Sequence, residues 1–260
     1  MPTIEQNLQV WGKSYDRSQQ GDEWSSSWGQ TELLWWGTLF PRIQAFVPTD
    51  TILEIAPGFG RLTQYLKDLC TNLMVVDIAE RCIEACKQRF SSSSHITYYT
   101  NNGKTLDMIP DQSVDYVFSF DSLVHAEADV IEVYLSQLAR ILKPDGIGFI
   151  HHSNAGAYFI PLDKCLPPPL KEFAMKKLRR HWRAESMTAR LFEQYCEQAG
   201  LQCIAQELIN WEIKYPFPID CFSLFTQKDS VWTRPNKVFR NMDFRHEALY
   251  LGKLSRLYSI

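Results

Sequence analysis

The sequence predicts an α/β fold: a mostly parallel sheet of seven strands flanked by helices, with an N-terminal lid and an inserted cap after strand five. Three observations carry this. Short apolar runs alternate with helix-spaced runs from Thr51 to His152. A glycine turn, Pro57-Gly58-Phe59-Gly60, follows the first apolar run directly. The 260-residue chain is 45% apolar, enough for a sizeable core.

The elements follow in order. Residues 1–30 set Trp11, Tyr15, Trp24 and Trp28 among Ser, Gly and Gln, which reads as loop with aromatic anchors. Leu33, Trp36, Phe40, Ile43 and Val47 mark a helical face, with a kink or break expected at Pro41. Strands are expected at 51–56, 73–78, 95–100, 114–120 and 147–152. Between them, helical spacing begins at Leu62, covers 79–90 and is clearest over 127–142. Lys143-Pro144-Asp145-Gly146 reads as a turn. Strands separated by such helices imply parallel pairing with right-handed crossovers. Residues 155–185 hold Pro167-Pro168-Pro169 and a basic stretch, and read as an insertion. A helix over 188–199, closed by Gly200, precedes two further strands at 201–210 and 222–227. The expected organisation is a lid with helices (1–47), a sheet core (48–154), a cap segment (155–186), the end of the sheet (187–230) and a polar, Arg-rich tail (231–260).

Composition narrows the function classes. A net charge of −3 argues against a whole-surface nucleic-acid binder. No apolar run approaches the ~20 residues of a membrane span, and the N-terminus lacks an apolar signal region. The seven scattered cysteines contain no Cys-x-x-Cys, fit no zinc spacing and read as free thiols of a reducing compartment. We therefore expect a cytoplasmic protein with no metal, membrane or nucleic-acid partner.

The chemistry concentrates at strand ends. In Ile52-Leu53-Glu54-Ile55-Ala56-Pro57-Gly58-Phe59-Gly60-Arg61-Leu62-Thr63 a strand meets a glycine turn and a helix start. A dinucleotide site would need a third glycine where Thr63 stands, and has little use for the carboxylate of Glu54. The segment instead resembles the first motif of class I S-adenosylmethionine-dependent methyltransferases, a family built on a Rossmann-like sheet. The resemblance covers roughly 50–152 and, more weakly, 186–227. It implies that Glu54 receives the cofactor's ammonium group and that Gly58 and Gly60 let the backbone approach the ribose and amino-acid portion. It implies that Asp77, ending the second strand, holds the ribose hydroxyls. Asn101-Asn102-Gly103 stands where the family commonly has an acidic residue beside the adenine, so Asn102 would accept from the adenine amine without a charge. Ala56, Phe59, Ile78, Gly103 and Phe120 complete the implied cofactor set. Val114-Asp115-Tyr116-Val117-Phe118-Ser119-Phe120-Asp121 resembles the fourth-strand motif, with Asp115 structural. Phe120-Asp121-Ser122-Leu123 departs from the Asp/Asn-Pro-Pro-aromatic motif of base-amino methylation.

Methyl transfer to a hydroxyl needs alignment, exclusion of water and removal of a proton. Histidine suits the last task. His125 follows strand four, and His151-His152 close strand five, where ligands of parallel sheets bind. We take His125 as the first candidate base and His152 as the second. His151 is a substrate-binding candidate, and Asp121 would orient a histidine or bind substrate. His125 could instead cap the following helix, and strand alternation should bury one of the paired histidines. Tyr15 and Trp24 are candidates for a lid over the substrate. Lys171–Arg183 is a basic stretch that reads either as a solvated helix face or as a site for an anionic group on Arg180 or Arg183. The reading is an O-methyltransferase acting on a small hydroxylated acceptor such as a sugar or natural-product intermediate. The alternatives are a small-molecule N- or carboxyl methyltransferase and a non-catalytic cofactor-binding protein.

Overall fold

The structure is a computed structural model, and it describes residues 3–14, 19–159, 167, 170, 172, 182–211 and 217–258. Eight strands form one sheet: β1 (Thr49–Ile55), β2 (Cys70–Asp77), β3 (Ile96–Thr100), β4 (Val114–Ser119), β5 (Leu142–Ser153), β6 (Leu201–Ile209), β7 (Asp220–Gln227) and β8 (Lys237–Asn241). Their order is β3-β2-β1-β4-β5-β7-β6-β8. The first five are mutually parallel, β7 is antiparallel to both β5 and β6, and β8 runs parallel to β6. The sheet thus has eight strands where the sequence suggested seven. The eighth comes from residues read as a polar tail, because an edge strand with one covered end shows little apolar alternation.

The strands are apolar on both faces because helices cover both. Successive residues alternate between two cores. Ile52, Phe118, Phe149 and Phe222 face Trp28, Trp35, Leu39 and Ile43. Leu53, Val117, Ile150 and Phe225 face the other side. There the covering helices are α2 (Ala128–Ile141), with its stripe Ile131, Leu135 and Leu138, and α3 (Ala189–Ala199). The helix α1 (Glu80–Arg89) packs beside β2 and β3. Pro41 does not break its helix. It sits in the first turn of a segment, Phe40–Ile43, that continues a wider π-turn over Trp35–Leu39, where its missing N–H costs little. The expected turn at 143–146 is extended backbone within β5. Its Lys143 donates to Asp115 Oδ2 at 2.7 Å, and Thr51 N donates to the same oxygen at 2.9 Å. Asp115 therefore ties β1, β4 and β5 together, as its structural reading required.

Residues 231–260 are more than a tail. After β8, α4 (Phe244–Tyr258) returns across the N-terminal segment. Its Gly252 lies against Ser27, Trp28 and Gly29, so close that an added Cβ would stand 2.9 Å from the Ser27 carbonyl. The described cysteines (70, 82, 86, 196, 203 and 221) are free thiols; Cys165 lies outside the described residues. No helix among the described residues is long and apolar enough to cross a membrane.

Candidate active site

Strand order reverses between β1 and β4, and parallel sheets open a crevice where that happens. The residues just past both strand ends take left-handed backbone: Ala56 at φ +59° and Asp121 at φ +62°. A cavity of about 770 Å³ fills this crevice, within the ~300–1,000 Å³ range of small-molecule sites.

Of the cofactor set, Glu54, Ala56, Gly58, Phe59, Asp77, Ile78, Gly103 and Phe120 line this cavity. Glu54 is buried, and one of its oxygens accepts from the Thr63 hydroxyl at 2.6 Å. Burial pushes its pKa up to about 8, against the smaller opposing effect of Thr63. A carboxylate so placed favours a cationic ligand, whose charge would offset the desolvation. Thr63, which excluded the dinucleotide reading, thus has its own role in orienting Glu54. Asp77 is aligned by two backbone donors, Gly58 N at 3.1 Å and Ala79 N at 2.8 Å. These residues fit the ammonium and ribose of an adenosyl amino acid.

Two residues of that set are placed differently. Gly60 is buried away from the cavity lining; at φ +81° its missing side chain makes room for Phe90, whose Cε2 would lie 2.6 Å from an added Cβ. Its glycine serves helix packing. Asn102 is exposed, and its Oδ1 accepts from the backbone of Lys104 and Thr105 at 2.9 Å each. It closes its own turn, as Asn does where it competes for local backbone donors.

The histidines separate sharply. His125 is buried on the cavity wall, stacked on Trp11 with ring centroids 5.0 Å apart. Its Nδ1 lies 2.6 Å from the Trp182 carbonyl, which can only accept, so Nδ1 carries the proton and Nε2 the lone pair. Burial and, secondarily, the Arg183 charge lower its pKa to about 4. His152 is a core residue, which removes it as a base. Its ring stacks on Phe192 at 4.4 Å, Nδ1 donates to the Ser153 carbonyl and Nε2 accepts from Ser223. His151 is also fully buried and absent from the lining. Its Nδ1 accepts from Asp121 N at 3.1 Å, so the proton is on Nε2, which donates to Asp220 at 3.2 Å. Its contact is with the strained Asp121 backbone rather than with the cavity.

Asp220 was not singled out by the sequence, where it is one acid at the start of an apolar strand. It is fully buried and accepts from Arg183 Nε (2.9 Å) and Nη2 (2.8 Å), from His151 and from Trp211 Nε1. Burial alone would raise its pKa; Arg183 and His151 outweigh that and hold it below the usual carboxylate range. Arg183 lines the cavity, but its fork is engaged by this internal carboxylate and is not a ready anion clamp. Asp121 is likewise paired, with Arg61 at 3.1 Å. Segment 182–187 is stitched over the site: Glu127 accepts from the backbone of Glu185 and Ser186, and Ala184 N donates to Val124. Trp24 lines the cavity with its ring half exposed; Tyr15 and Arg180 lie outside the described residues. Trp11, Trp182 and Trp211 also line it, and only their number in the sequence hinted at that.

The sheet and this carboxylate-and-glycine crevice are arranged as in class I S-adenosylmethionine-dependent methyltransferases. Residues 53–150 match the family model described as "Methyltransferase domain". Ribosomal RNA small subunit methyltransferase A of Coxiella burnetii is 37% identical over 59 residues, 23% of this chain and 23% of that protein. Phosphoethanolamine N-methyltransferase 1 of Triticum aestivum is 27% identical over 118 residues, 44% of this chain and 24% of that one. The match thus spans about a quarter of each relative's length. The N-methyltransferase NodS of Bradyrhizobium japonicum, solved with S-adenosyl-l-homocysteine, shares the fold with a TM-score of 0.54 at 16% identity, over 86% of this chain and 96% of that one.

Proposed function

We propose that the protein transfers a methyl group from S-adenosylmethionine to the hydroxyl of a small acceptor held beside His125. The observation that carries this reading is the neutral, fixed imidazole: Nδ1–H is anchored on Trp182 and the bare Nε2 belongs to a cavity-wall residue. When bound, the cofactor supplies an electrophilic methyl. Glu54 and Asp77 hold and orient it. Nε2 of His125 accepts the hydroxyl proton as the oxygen becomes nucleophilic. Trp11, Trp24 and Trp182 surround the acceptor end and keep water from competing. In this reading the segment before β1 serves as a lid and residues 182–187 as the described part of a cap. Asp121, fixed by Arg61 and by His151 behind it, positions the acceptor.

The cavity volume of about 770 Å³ supports a small acceptor beside the cofactor. An amine acceptor is the second reading, favoured by Trp11, Trp24 and Trp182 lying near the carboxylates of Glu23 and Asp121, a lining suited to cations. The test is to incubate the protein with S-adenosylmethionine and panels of small alcohols, phenols and amines, and to measure S-adenosylhomocysteine. Turnover with hydroxylated compounds, lowered ~10²–10⁴-fold in His125→Ala with cofactor affinity retained, is expected. Turnover confined to amines would establish the second reading. No product and no binding of S-adenosylhomocysteine would overturn both.

A further inference from the structure

We infer that the methyl acceptor is a vicinal diol, with one hydroxyl on His125 Nε2 and its neighbour on Asp121 Oδ1, and that it is methylated once. This rests on the hydroxyl-transfer reading above and names its substrate class. Both residues line the cavity. His125 Nδ1–H is engaged by the Trp182 carbonyl, so the ring presents only the lone pair of Nε2. Asp121 Oδ2 accepts from Arg61 Nη2 at 3.1 Å, which turns that oxygen to the guanidinium and leaves Oδ1. Among the described residues none donates to Nε2 or to Oδ1, and both atoms keep accessible surface.

The two acceptor atoms are held at one end of the cavity. Past the end of β4, Asp121 takes its left-handed backbone at φ +62°, and the tight turn Leu123–His125 follows, closed by His125 N donating to the Ser122 carbonyl at 3.2 Å. The Asp121 N–H is pinned from behind by His151 Nδ1 at 3.1 Å, and its side chain by Arg61, whose Cζ lies 5.7 Å from the centre of the Phe120 ring. After burial, the Arg183 charge and the Trp182 bond, the charge of Asp121 also acts on the His125 ring, so the two are within electrostatic reach. The hydroxyl between them, Ser122 Oγ, donates to the Ala56 carbonyl at 2.7 Å and offers no hydrogen here. A ligand touching both atoms must therefore bring two donors. A lone alcohol satisfies one of them; hydroxyls on adjacent carbons satisfy both. During transfer one hydroxyl passes its proton to Nε2 as its oxygen bonds the methyl carbon, and the electron pair of the broken carbon–sulfur bond stays on sulfur. The second hydroxyl keeps its proton, donated to Asp121. The methoxy oxygen of the product can only accept. Turned toward Asp121 to bring the other hydroxyl to His125, it would meet a carboxylate, which disfavours a second methylation.

The test titrates protein saturated with S-adenosylhomocysteine, by calorimetry, with two matched series: catechol, phenol and guaiacol, and a vicinal cyclohexanediol, cyclohexanol and the diol's monomethyl ether. In at least one series the diol should bind ~10-fold or more tightly than its two partners, the size of a hydrogen bond to a charged group. In Asp121→Asn, Arg61 can only donate, so it keeps the amide oxygen and turns Nδ2 into the cavity. The preference should then move from the diol to the monomethyl ether. A diol that binds no better than the monohydric compound in both series would overturn the inference without reference to any variant. So would a preference for the diol that is unchanged in Asp121→Asn, or a dimethylated product from a diol under turnover. Turnover confined to amines would instead remove the hydroxyl reading, and absence of S-adenosylhomocysteine binding to wild type the methyltransferase reading, and this inference with either.

Discussion

Glu54 holds a proton at neutral pH when no cation is near, because burial raises its pKa to about 8. An ammonium group arriving beside it favours the carboxylate and lowers that pKa. Cofactor binding at pH 7 should therefore release close to one proton from Glu54, and affinity should rise with pH until about 8 and then level. Calorimetry of S-adenosylhomocysteine binding in buffers of different ionisation enthalpy measures this; Glu54→Gln should abolish the release. Binding with no proton exchange in wild type would leave Glu54 without contact to the ammonium. His125 works in the opposite sense. With its pKa lowered to about 4, it is neutral throughout pH 5–8, and its base form is lost only as pH falls toward 4. The single-turnover rate should thus show no histidine limb between pH 6 and 7, contrary to the behaviour of an exposed histidine. A limb centred near 6.5 that disappears in His125→Ala would show that the ring is solvated during catalysis.

At the scale of elements, the wall of the site depends on contacts between segments far apart in the chain. Asp220 on β7 joins Arg183 of the cap, His151 of β5 and Trp211 after β6. Removing one member leaves a buried charge unpaired, which typically costs ~3–5 kcal/mol. Asp220→Ala should lose stability on that scale in chemical denaturation; a loss under 1 kcal/mol would mean that Arg183 is hydrated. The glycine turn is the contrasting case, since its existence was legible from Glu54 to Gly60. What was not legible is that the two glycines differ. Gly58 faces the cavity, whereas Gly60 faces Phe90 of the segment that closes α1. Gly60→Ala should therefore cost stability, by ~1–3 kcal/mol, while Gly58 substitutions should act on cofactor affinity. Denaturation midpoints together with binding constants of both variants separate the two roles.

Over the whole molecule, chain ends meet around the site. The segment Asp22–Trp28 is clamped from outside by α4: Gly252 abuts Ser27, and Arg245 donates to the Ser27 hydroxyl. From inside, Trp28 Nε1 donates to Thr38 at 2.8 Å, and its ring meets Phe244 and Trp211. Residues 4–14 rest instead on α1, with Arg81 donating to the Lys13 carbonyl at 3.4 Å, and line the cavity through Ile4, Asn7 and Trp11. Hydrogen exchange should therefore slow on S-adenosylhomocysteine binding mainly in 4–14, with little change in 22–28. Equal slowing of both would make the whole N-terminal stretch one lid. The aromatic residues read as a single group in the sequence thus divide into Trp28, which is structural, and Trp11 and Trp24, which line the cavity.

Local sequence determined the alternation of strands and helices, the crevice that follows from it, and the carboxylates Glu54 and Asp77 beside a glycine turn. Each of these depends on periodicity or on near neighbours in the chain, so each leaves a pattern that can be read along it. Tertiary structure decided the rest. Strand alternation placed His152 in the core and His151 behind Asp121. A local turn took Asn102, while β8 and α4 turned a polar tail into sheet edge and clamp. Asp220 and Thr63 acquired their partners only when separate segments came together. A side chain's part in a site depends on burial and on which donors and acceptors surround it, and those are set by residues with no fixed spacing in sequence.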